Sequence, residues 1–368
     1  MKITRIELVR LELPLEPPFP AAWDPEPRGV FPATVVVVET DEGLRGVGSG
    51  DTMDGFEPFM GFFLGEDPLR IARHVRVLET VAFHGCRPWP LEAALWDIAG
   101  KVAGLPVATL LGGSLDRIPA YASTGALVAP ALRAEMAVAL AEQGFRAMKI
   151  RVDPDRLEEG IAAVKAVREA VPTMSLMVDL NQGWRMAGDV RAALDPAAAR
   201  GILQRLAEFD LVWVEEPLDS SDARGLAGLR KAGTARVAGG EMVRSLPELL
   251  SLVEADSLDV YQPDAVLAVG ITRARALAEL VLAKRRWFTP HTWTNGIGLL
   301  ANLHLVAGVG GGPFLEFPFD PPSWSIERRD FMLAETVRVD AGGQLVVPDR
   351  PGLGFDLDED ALAHYRVG

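Results

Sequence analysis

Three acidic residues of the chain end three successive apolar runs that are typical of β-strands. Asp179 ends Ser-Leu-Met-Val-Asp, Glu215 ends Leu-Val-Trp-Val-Glu, and Glu241 ends Arg-Val-Ala-Gly-Gly-Glu. Carboxylates at the ends of neighbouring buried parallel strands converge, and their hard oxygen atoms suit Mg²⁺, with Mn²⁺ as a substitute. The spacing therefore predicts a catalytic metal site formed by these three residues.

A histidine and an aspartate further along the chain predict a general base. His291 and Asp264 follow two later strand-like runs. An imidazole with an ordinary pKa of about 6.5 accepts a proton at neutral pH, and a neighbouring carboxylate would raise that pKa and fix the tautomer. We expect these two residues to form a dyad. His304, in an apolar helix-like run, is expected to be a packing or capping residue.

Polar residues mark the ends of eight strand-like segments, and 23 to 36 residues separate one end from the next. That length holds one strand, one helix and two short loops. The intervening segments, such as 131–143, 157–170 and 272–284, are rich in Ala, Leu and Glu with a period near that of a helix. The alternation predicts an α/β fold, a modified (β/α)8 TIM barrel, whose strand ends are Ser123, Lys149, Asp179, Glu215, Glu241, Asp264, His291 and Glu316.

The regions on either side of the predicted barrel have a different pattern. Residues 1–14 alternate with period two, and 34–40 join 44–48 through a turn, which predicts antiparallel strands; a helix is expected over about 90–111. Near the C-terminus, residues 336–347 predict a second hairpin around Asp-Ala-Gly-Gly.

We therefore divide the 368 residues into three parts. They are an α+β capping domain (1–115), the barrel (116–330), and a C-terminal tail (331–368) that returns to the capping domain.

The net charge of −14 argues against nucleic acid and anionic membranes as partners, because no basic stripe offsets phosphate repulsion. Cys86 is the only cysteine, so no disulfide framework exists. No apolar stretch approaches the roughly 18 residues of a spanning helix, and no signal-peptide pattern begins the chain. We expect a soluble, cytoplasmic protein that forms a homo-oligomer.

Eight short motifs occur along the whole chain, in this order: Trp96-Asp-Ile-Ala-Gly-Lys101, Lys149-Ile-Arg151, Asp179-Leu-Asn181, Val214-Glu-Glu-Pro217, Gly240-Glu241, Gln262-Pro-Asp264, His291-Thr-Trp293 and Leu315-Glu-Phe317. As a set they resemble the enolase superfamily. The placement of the histidine and of Gln-Pro-Asp is similar to the mandelate racemase-like subgroup, the mandelate racemase/muconate lactonizing enzyme family, which contains many acid-sugar dehydratases. The resemblance implies a capped, modified barrel, one Mg²⁺, and removal of the proton α to a carboxylate.

That chemistry explains why these residue types occur together. Loss of the α-proton places two negative charges on an enediolate, and a dication stabilises the additional charge as it develops. By resemblance, Glu316 would donate a hydrogen bond or a proton to one enediolate oxygen. Asn181 and Glu216 would hold the metal ligands in place.

The second strand departs from the racemase pattern, in which two lysines are separated by one residue. Here the pair is Lys149 and Arg151, which point the same way because strand side chains alternate. Arginine stays protonated and is a poor base, whereas its fork suits binding a carboxylate. We therefore expect dehydration of an acid-sugar or 2-hydroxy acid to a 2-keto acid. The alternatives are a racemase or epimerase that uses Lys149 as base, and a barrel that binds metal and ligand without catalysis.

Two cap segments, residues 19–28 and 51–65, are expected to cover the barrel mouth. The substrate is predicted to be a small-molecule carboxylate. The residues that we expect to contact it are Trp23, Arg28, Asp54 and Trp293.

Overall fold

The computed structural model describes all 368 residues. The chain begins with an antiparallel sheet of three strands, β1 (Ile3–Phe19), β2 (Arg28–Thr40) and β3 (Arg45–Gly48), paired in that order. The predicted turn between β2 and β3 contains Gly43 with a φ of 78°, a conformation that glycine adopts without a Cβ clash.

Three helices follow the sheet: α1 (Ile71–Phe83), α2 (Trp89–Ala103) and α3 (Val107–Leu110). The prediction of a single helix over 90–111 is wrong, because the helix is interrupted between α2 and α3. Gly104 takes a left-handed φ of 67° and ends α2. Pro106 then precedes α3 in an extended conformation, with no N–H to continue a helix.

Helix α2 packs directly on β3 because two glycines leave room for it. A Cβ at position 46 would lie 2.3 Å from the carbonyl oxygen of Ala94, and one at position 48 would lie 2.1 Å from that of Pro90. Any larger residue would push the helix off the sheet. This contact makes the sheet and helices one packed unit.

Eight parallel strands form the second part of the structure: β4 (Arg117–Ser123), β5 (Ala147–Arg151), β6 (Ser175–Asp179), β7 (Val214–Glu215), β8 (Val237–Gly239), β9 (Val260–Tyr261), β10 (Trp287–Phe288) and β11 (Leu315–Pro318). Helices connect them: α4 (Pro130–Glu142), α5 (Leu157–Ala170), α6 (Pro196–Leu206), α7 (Ala223–Ala232), α8 (Leu246–Glu254), α9 (Gly270–Ala283) and α10 (Gly296–Val309). The three helices predicted at 131–143, 157–170 and 272–284 correspond to α4, α5 and α9, within two residues at each end.

The strands pair in chain order from β4 to β10, and β11 pairs with β4. Between β10 and β11 the backbone amide of Gly312 donates to the carbonyl of Phe288 at 2.6 Å. The predicted α/β fold with a modified barrel is confirmed. No helix combines the length and apolar character needed to cross a membrane.

The C-terminal tail pairs with the barrel as well as with the first sheet. Strand β12 (Gln344–Val346) runs antiparallel to β4, after the short helix α11 (Ile326–Arg329). The hairpin predicted over 336–347 is wrong, because residues 336–339 form no strand and the edge of β4 is the partner of β12. Helix α12 (Glu359–Tyr365) lies near β1, to which residue 366 is bridged at Leu11.

A buried junction joins the three regions of the chain, and we define it by Asp97 of α2, His304 of α10 and the backbone of Leu353. Asp97 accepts hydrogen bonds from the amides of Leu353 and Val47, at 2.8 and 2.9 Å. His304 Nδ1 accepts from the amide of Ala108 at 3.1 Å, so Nε2 carries the proton and donates to the carbonyl of Leu353, also at 3.1 Å. The junction therefore holds both polar backbone groups of one tail residue.

Candidate active site

The strand ends bring the three predicted metal ligands together. Asp179 ends β6, Glu215 ends β7, and Glu241 lies two residues after β8. One oxygen of each carboxylate lies within 4.8 Å of the other two, and all three side chains are buried. The barrel beneath them is filled by side chains on the same face of the strands, including Met177 and Trp213.

Negative charge exceeds positive charge at this centre. Six buried carboxylates surround it, and the only permanent cations are Lys149 and Arg151. The six are Asp179, Glu215, Glu216, Glu241, Asp264 and Glu316. Burial raises the pKa of Asp179 to about 6 although Arg151 opposes the shift, and burial next to Glu241 raises the pKa of Glu216 well above its usual value. A divalent cation would offset this excess charge.

Several buried polar atoms of the centre have no protein partner. Both carboxylate oxygens of Glu216, one oxygen of Glu241 and the side-chain nitrogen Nδ2 of Asn181 make no hydrogen bond. Glu216 and Asn181 also adopt positive φ values of 44° and 48°, which are unusual for residues with side chains and accumulate at functional sites. Unpaired carboxylate oxygens with this geometry fit a hard, oxygen-loving ion such as Mg²⁺.

Protein donors orient the other ligand oxygens. Asp179 accepts from the amide of Asn181 at 2.8 Å, and Glu215 accepts from Trp213 Nε1 and Gln262 Nε2 at 2.9 and 2.8 Å. Trp184 Nε1 donates to Glu241 at 2.7 Å. Sequence reasoning missed the two tryptophans. Trp213 could have been found, since it lies two residues before a ligand on the same face of a strand, whereas Trp184 lies in a loop and gave no signal.

The predicted dyad is formed. His291 Nδ1 lies 3.0 Å from Asp264 Oδ2, while Nε2 lies 3.9 Å from Glu241. Asp264 is fixed in turn by the amides of Val266 and Leu267 and by Asn302. This arrangement places the proton of a neutral imidazole on Nδ1 and leaves Nε2 free toward the carboxylates.

Opposing effects set the pKa of His291. Burial alone would lower it, but the charges of Glu241, Glu316 and Asp264 raise it to about 9. The carboxylates around the ring therefore favour the protonated imidazole.

Glu316 is surrounded by donors, contrary to the expectation that it donates a proton. One oxygen accepts from Ser123 Oγ at 2.7 Å and lies 2.8 Å from Lys149 Nζ, and the other accepts from the amide of Thr292 at 2.6 Å. Burial would raise its pKa, yet Lys149, His291 and Arg151 hold it at about 2. The structure therefore presents an ionised carboxylate that accepts hydrogen bonds.

The two cations of β5 differ in their access to the cavity. Lys149 is fully buried and contacts Asp179, Glu215 and Glu316, so three carboxylates surround its three donors. Arg151 lines the cavity, hydrogen-bonds to Asp179, and donates from Nε to the carbonyl of Thr124 at 2.9 Å. Only Arg151 is positioned to meet a ligand that enters the cavity.

A cavity of about 220 Å³ lies over the strand ends, between the barrel and the first sheet. Of the four predicted substrate contacts, Trp23, Arg28 and Trp293 line it. Asp54 does not: it is exposed and accepts from the hydroxyl of Thr52 at 2.8 Å. Its expected role is wrong, because the loop turns its side chain to solvent.

Two family models match most of the chain. The first, Mandelate racemase / muconate lactonizing enzyme, N-terminal domain, matches residues 13–112. The second, Enolase C-terminal domain-like, matches residues 131–361. The chain therefore belongs to the mandelate racemase/muconate lactonizing enzyme family of the enolase superfamily, as its motifs predicted.

Curated relatives include enzymes of two reaction types. D-galactarolactone cycloisomerase of Agrobacterium fabrum is 30% identical over 394 aligned positions, which cover 100% of this chain and 99% of the relative. L-talarate/galactarate dehydratase of Salmonella typhimurium is 33% identical over 278 aligned positions, 74% of this chain and 63% of the relative.

Solved structures agree over the whole length. A racemase from Streptomyces coelicolor with bound magnesium has a TM-score of 0.85 at 26% identity, covering 99% of this chain and 100% of the other. An L-talarate/galactarate dehydratase variant, liganded with Mg and L-glucarate, has a TM-score of 0.86 at 29% identity, covering 100% and 92%. Relatives of this chain therefore bind magnesium, and one binds a carboxylate in its crystal structure.

Proposed function

We propose that this protein is a hydro-lyase that removes the proton α to a carboxylate of a small hydroxy acid and then eliminates a β-hydroxyl group. The observation that carries the proposal is the His291–Asp264 dyad, whose free Nε2 lies 3.9 Å from Glu241 on the cavity wall, whereas Lys149 does not line the cavity. The dehydratase among the relatives supports the same reaction class.

The metal would be held by Asp179, Glu215 and Glu241, whose oxygens already converge. Mg²⁺, with Mn²⁺ as a substitute, would neutralise the negative charge that develops on the substrate carboxylate as the α-proton leaves. Glu216 and Asn181 lie beside these ligands, and their roles would be to fix ligand geometry and local charge.

His291 would act as both base and acid. With a bound cation offsetting the carboxylate charges that raise its pKa, the imidazole would be neutral and Nε2 would accept the α-proton. The electrons of the C–H bond then form a carbon–carbon double bond as the bond to the β-oxygen breaks. The protonated imidazole then returns a proton to the departing hydroxide, which leaves as water. Because the α-carbon of the substrate also carries a hydroxyl group, the product is an enol that tautomerises to a 2-keto acid, so atoms and charge balance without another reactant.

Arg151 would bind a substrate oxygen at the cavity wall, since its guanidinium carries a permanent charge beside Asp179. Lys149 and Glu316 would form a fixed charged pair beneath the site. Racemisation is the second candidate, and it requires Lys149 to leave its three carboxylates and reach the opposite face of the substrate.

The test is a screen of hydroxy acids in D₂O with Mg²⁺, with α-deuterium uptake and 2-keto acid formation followed by NMR. We expect one configuration at the α-carbon to exchange and to lose water. Equal exchange from both epimers without loss of water would establish the racemase. An absence of exchange for every acid that binds would instead favour a non-catalytic binding barrel.

We also propose the division of the chain at residues 1–115, 116–330 and 331–368, which the separate antiparallel and parallel sheets support. The same proposal includes a homo-oligomeric state and a cytoplasmic location, as expected from the sequence.

A further inference from the structure

The loop that follows β6 reaches across the strand ends and contacts carboxylates that belong to different strands. We call residues 181–185 of this loop the bridging segment. The backbone amide of Asn181 donates to Asp179 at 2.8 Å, and the indole Nε1 of Trp184 donates to Oε1 of Glu241 at 2.7 Å. Two of the three candidate metal ligands are therefore held by one stretch of five residues.

The bridging segment also passes close to the buried carboxylate of Glu216, and a glycine gives it the room to do so. A Cβ at position 183 would overlap Oε1 of Glu216 and would lie 2.9 Å from the hydroxyl oxygen of Ser220. The amide of Ser220 in turn donates to the carbonyl of Gly183 at 3.1 Å. The backbone of the segment is therefore fixed against the loop that follows β7.

Arg185 holds the bridging segment together from outside the cavity. Its Nη1 atom donates to the carbonyls of Asn181 and Trp184 at 2.6 and 3.1 Å, and its Nη2 atom donates to Oε1 of Gln182 at 2.8 Å. The guanidinium is planar and rigid, so three bonds within one short turn restrict the backbone that carries the indole. The direction of the indole N–H is thus set before any ligand binds.

One oxygen of Glu241 lies between this indole and the candidate base. Oε1 accepts the hydrogen bond from Trp184 and is also the atom that lies 3.9 Å from Nε2 of His291. The other oxygen, Oε2, is buried and makes no hydrogen bond. The indole therefore occupies the oxygen that faces the base and leaves the second oxygen for a cation.

The indole N–H has two opposite effects on cation binding by Glu241. It withdraws some negative charge from the carboxylate, which by itself would weaken binding. It also fixes the orientation of the carboxylate, which would otherwise have to be ordered at the moment of binding. Loss of a group that orients a metal ligand typically costs about 10–100-fold in metal affinity, so we expect the orienting effect to be the larger one.

We propose, resting on the metal site and the base proposed above, that Trp184 is a positioning residue that sets the affinity for Mg²⁺ and keeps Glu241 apart from His291. In the proposed reaction the imidazole carries the α-proton until the β-hydroxyl leaves, and Oε1 of Glu241 lies on the same side of the ring. The indole bond keeps that oxygen engaged, so the proton goes to the leaving group. Arg185 supports this arrangement without lining the cavity.

Metal-free, full-length variants test this inference when their affinities for Mg²⁺ and Mn²⁺ are measured by calorimetry. Trp184→Phe keeps an aromatic ring and removes the N–H, whereas Trp184→Gln removes the ring and supplies an amide N–H at the same number of bonds from the backbone. Arg185→Met keeps an unbranched side chain and removes the donors. Trp96→Phe is the matched control, because Trp96 donates its indole N–H to Glu92 at 3.2 Å, away from the strand ends.

We expect Trp184→Phe to raise the Kd for Mg²⁺ about 10–100-fold and Trp184→Gln to stay within about fivefold of wild type. Arg185→Met should raise the Kd about three- to tenfold, because the indole remains but its direction is less restricted. Trp96→Phe should bind as wild type does. A crystal structure of metal-free Trp184→Phe should show Glu241 turned toward His291, with the distance from Oε1 to Nε2 below 3.9 Å.

An unchanged or tighter Kd in Trp184→Phe, or a Glu241 carboxylate that has not moved, would overturn the inference. So would equal losses in Trp184→Phe and Trp184→Gln, which would assign the effect to the volume of the ring. If Trp184→Phe does not fold, Arg185→Met decides, and wild-type affinity in that variant would count against the proposal.

The affinities are measured without a substrate, so they decide this inference even if no hydroxy acid exchanges its α-proton. In that case the metal site and the role of Trp184 stand, and the proposed catalytic function is wrong. If wild type exchanges and eliminates water but Trp184→Phe binds Mg²⁺ normally, the catalytic function stands and the inference fails.

Discussion

The carboxylate cluster of Asp179, Glu215, Glu216 and Glu241, which we call the strand-end centre, and the buried junction are both polar regions inside the protein, but their polar atoms are satisfied in different ways. At the junction, Asp97 accepts hydrogen bonds from the amides of Leu353 and Val47 and from Lys101 Nζ, and both ring nitrogens of His304 bond to the backbone, at Ala108 and Leu353. At the strand ends, carboxylate oxygens of Glu216 and Glu241 are left without partners and like charges are crowded together. The paired groups of the junction hold segments of the chain in place. The unpaired, crowded carboxylates of the strand-end centre favour the binding of a cation and a ligand.

This contrast also separates the two buried histidines. His291 lies among carboxylates that raise its pKa to about 9, whereas burial lowers the pKa of His304 to about 4. Both rings are almost inaccessible to solvent. Burial by itself therefore does not distinguish a candidate base from a structural histidine, whereas the charge of the surrounding side chains does.

The largest expected effect is on the rate of α-proton exchange, when each of the two buried histidines, His291 and His304, is replaced by asparagine. His291→Asn should lower the rate of α-proton exchange by about 10³-fold or more, because the base is lost, with little change in the unfolding midpoint. His304→Asn should keep the rate per folded molecule and lower the midpoint instead. Deuterium-exchange kinetics and thermal unfolding on both variants measure the two effects. A near wild-type rate for His291→Asn would remove the dyad from the mechanism.

Magnesium should stabilise the folded protein through the strand-end centre alone. We expect the midpoint of thermal unfolding to rise with Mg²⁺ concentration in wild type, because the ion binds only the folded state. Glu241→Gln should lose most of this rise. Asp97→Asn, a matched change of one carboxylate at the junction, should keep it. An equal response of both variants would contradict a metal site at Glu241.

Removal of the junction carboxylate should cost stability without changing the chemistry. Asp97→Ala leaves the buried amides of Leu353 and Val47 without an acceptor, which should lower the free energy of unfolding by about 2–4 kcal/mol. Denaturant titration gives this value, and the exchange rate per folded molecule should stay within about twofold. A loss below about 0.5 kcal/mol would show that water replaces the carboxylate.

A smaller effect is expected from the titration of His304. Its folded pKa of about 4 lies below the ordinary value of 6.5 for the unfolded chain, because burial disfavours the charged ring. The unfolded state therefore binds more protons between these values, and stability is full above about pH 6.5 and falls as the pH drops toward 4. The protonation of His304 should lower the free energy of unfolding by about 2 kcal/mol as the pH falls from 6.5 to 5.

His304→Gln should reduce this slope relative to wild type. Denaturant midpoints measured at several pH values from 7.5 to 5 provide the comparison. Parallel curves for the two proteins would show that other groups cause the acid sensitivity.

The barrel was predictable from sequence because each strand ends in a polar residue and the segments between strands repeat their apolar residues with the period of a helix. The same regularity placed Asp179, Glu215, Glu241 and His291 at one edge of the sheet. The ionisation of Glu316 was not predictable, because it depends on the charges of Lys149, His291 and Arg151, which follow or lie on other strands. Nor could the sequence show that β12 pairs with β4. A short apolar run such as β12 could pair equally well with β4 or with the preceding residues 336–339.

The cap was less predictable than the barrel. Its strands alternate clearly, yet the loops that carry Trp23 and Asp54 have no periodic pattern that fixes side-chain direction. The side chain of Trp23 lines the cavity, whereas that of Asp54 is exposed to solvent. The contacts that decide this, such as the packing of Trp23 on Gly125, join residues about one hundred positions apart.

The barrel closes between β10 and β11, and this closure should be the first part of the barrel to unfold locally. Between β10 and β11 the backbone provides the amide of Gly312 on Phe288, and side chains of Thr289, Thr292 and Glu316 complete the link. This seam lies between His291 and Glu316, and Glu316 is itself one of its hydrogen-bond partners. Amide hydrogen exchange should begin there rather than in the middle of the sheet. The barrel is thus a curled sheet that closes at a seam in which one side chain, that of Glu316, also belongs to the candidate active site.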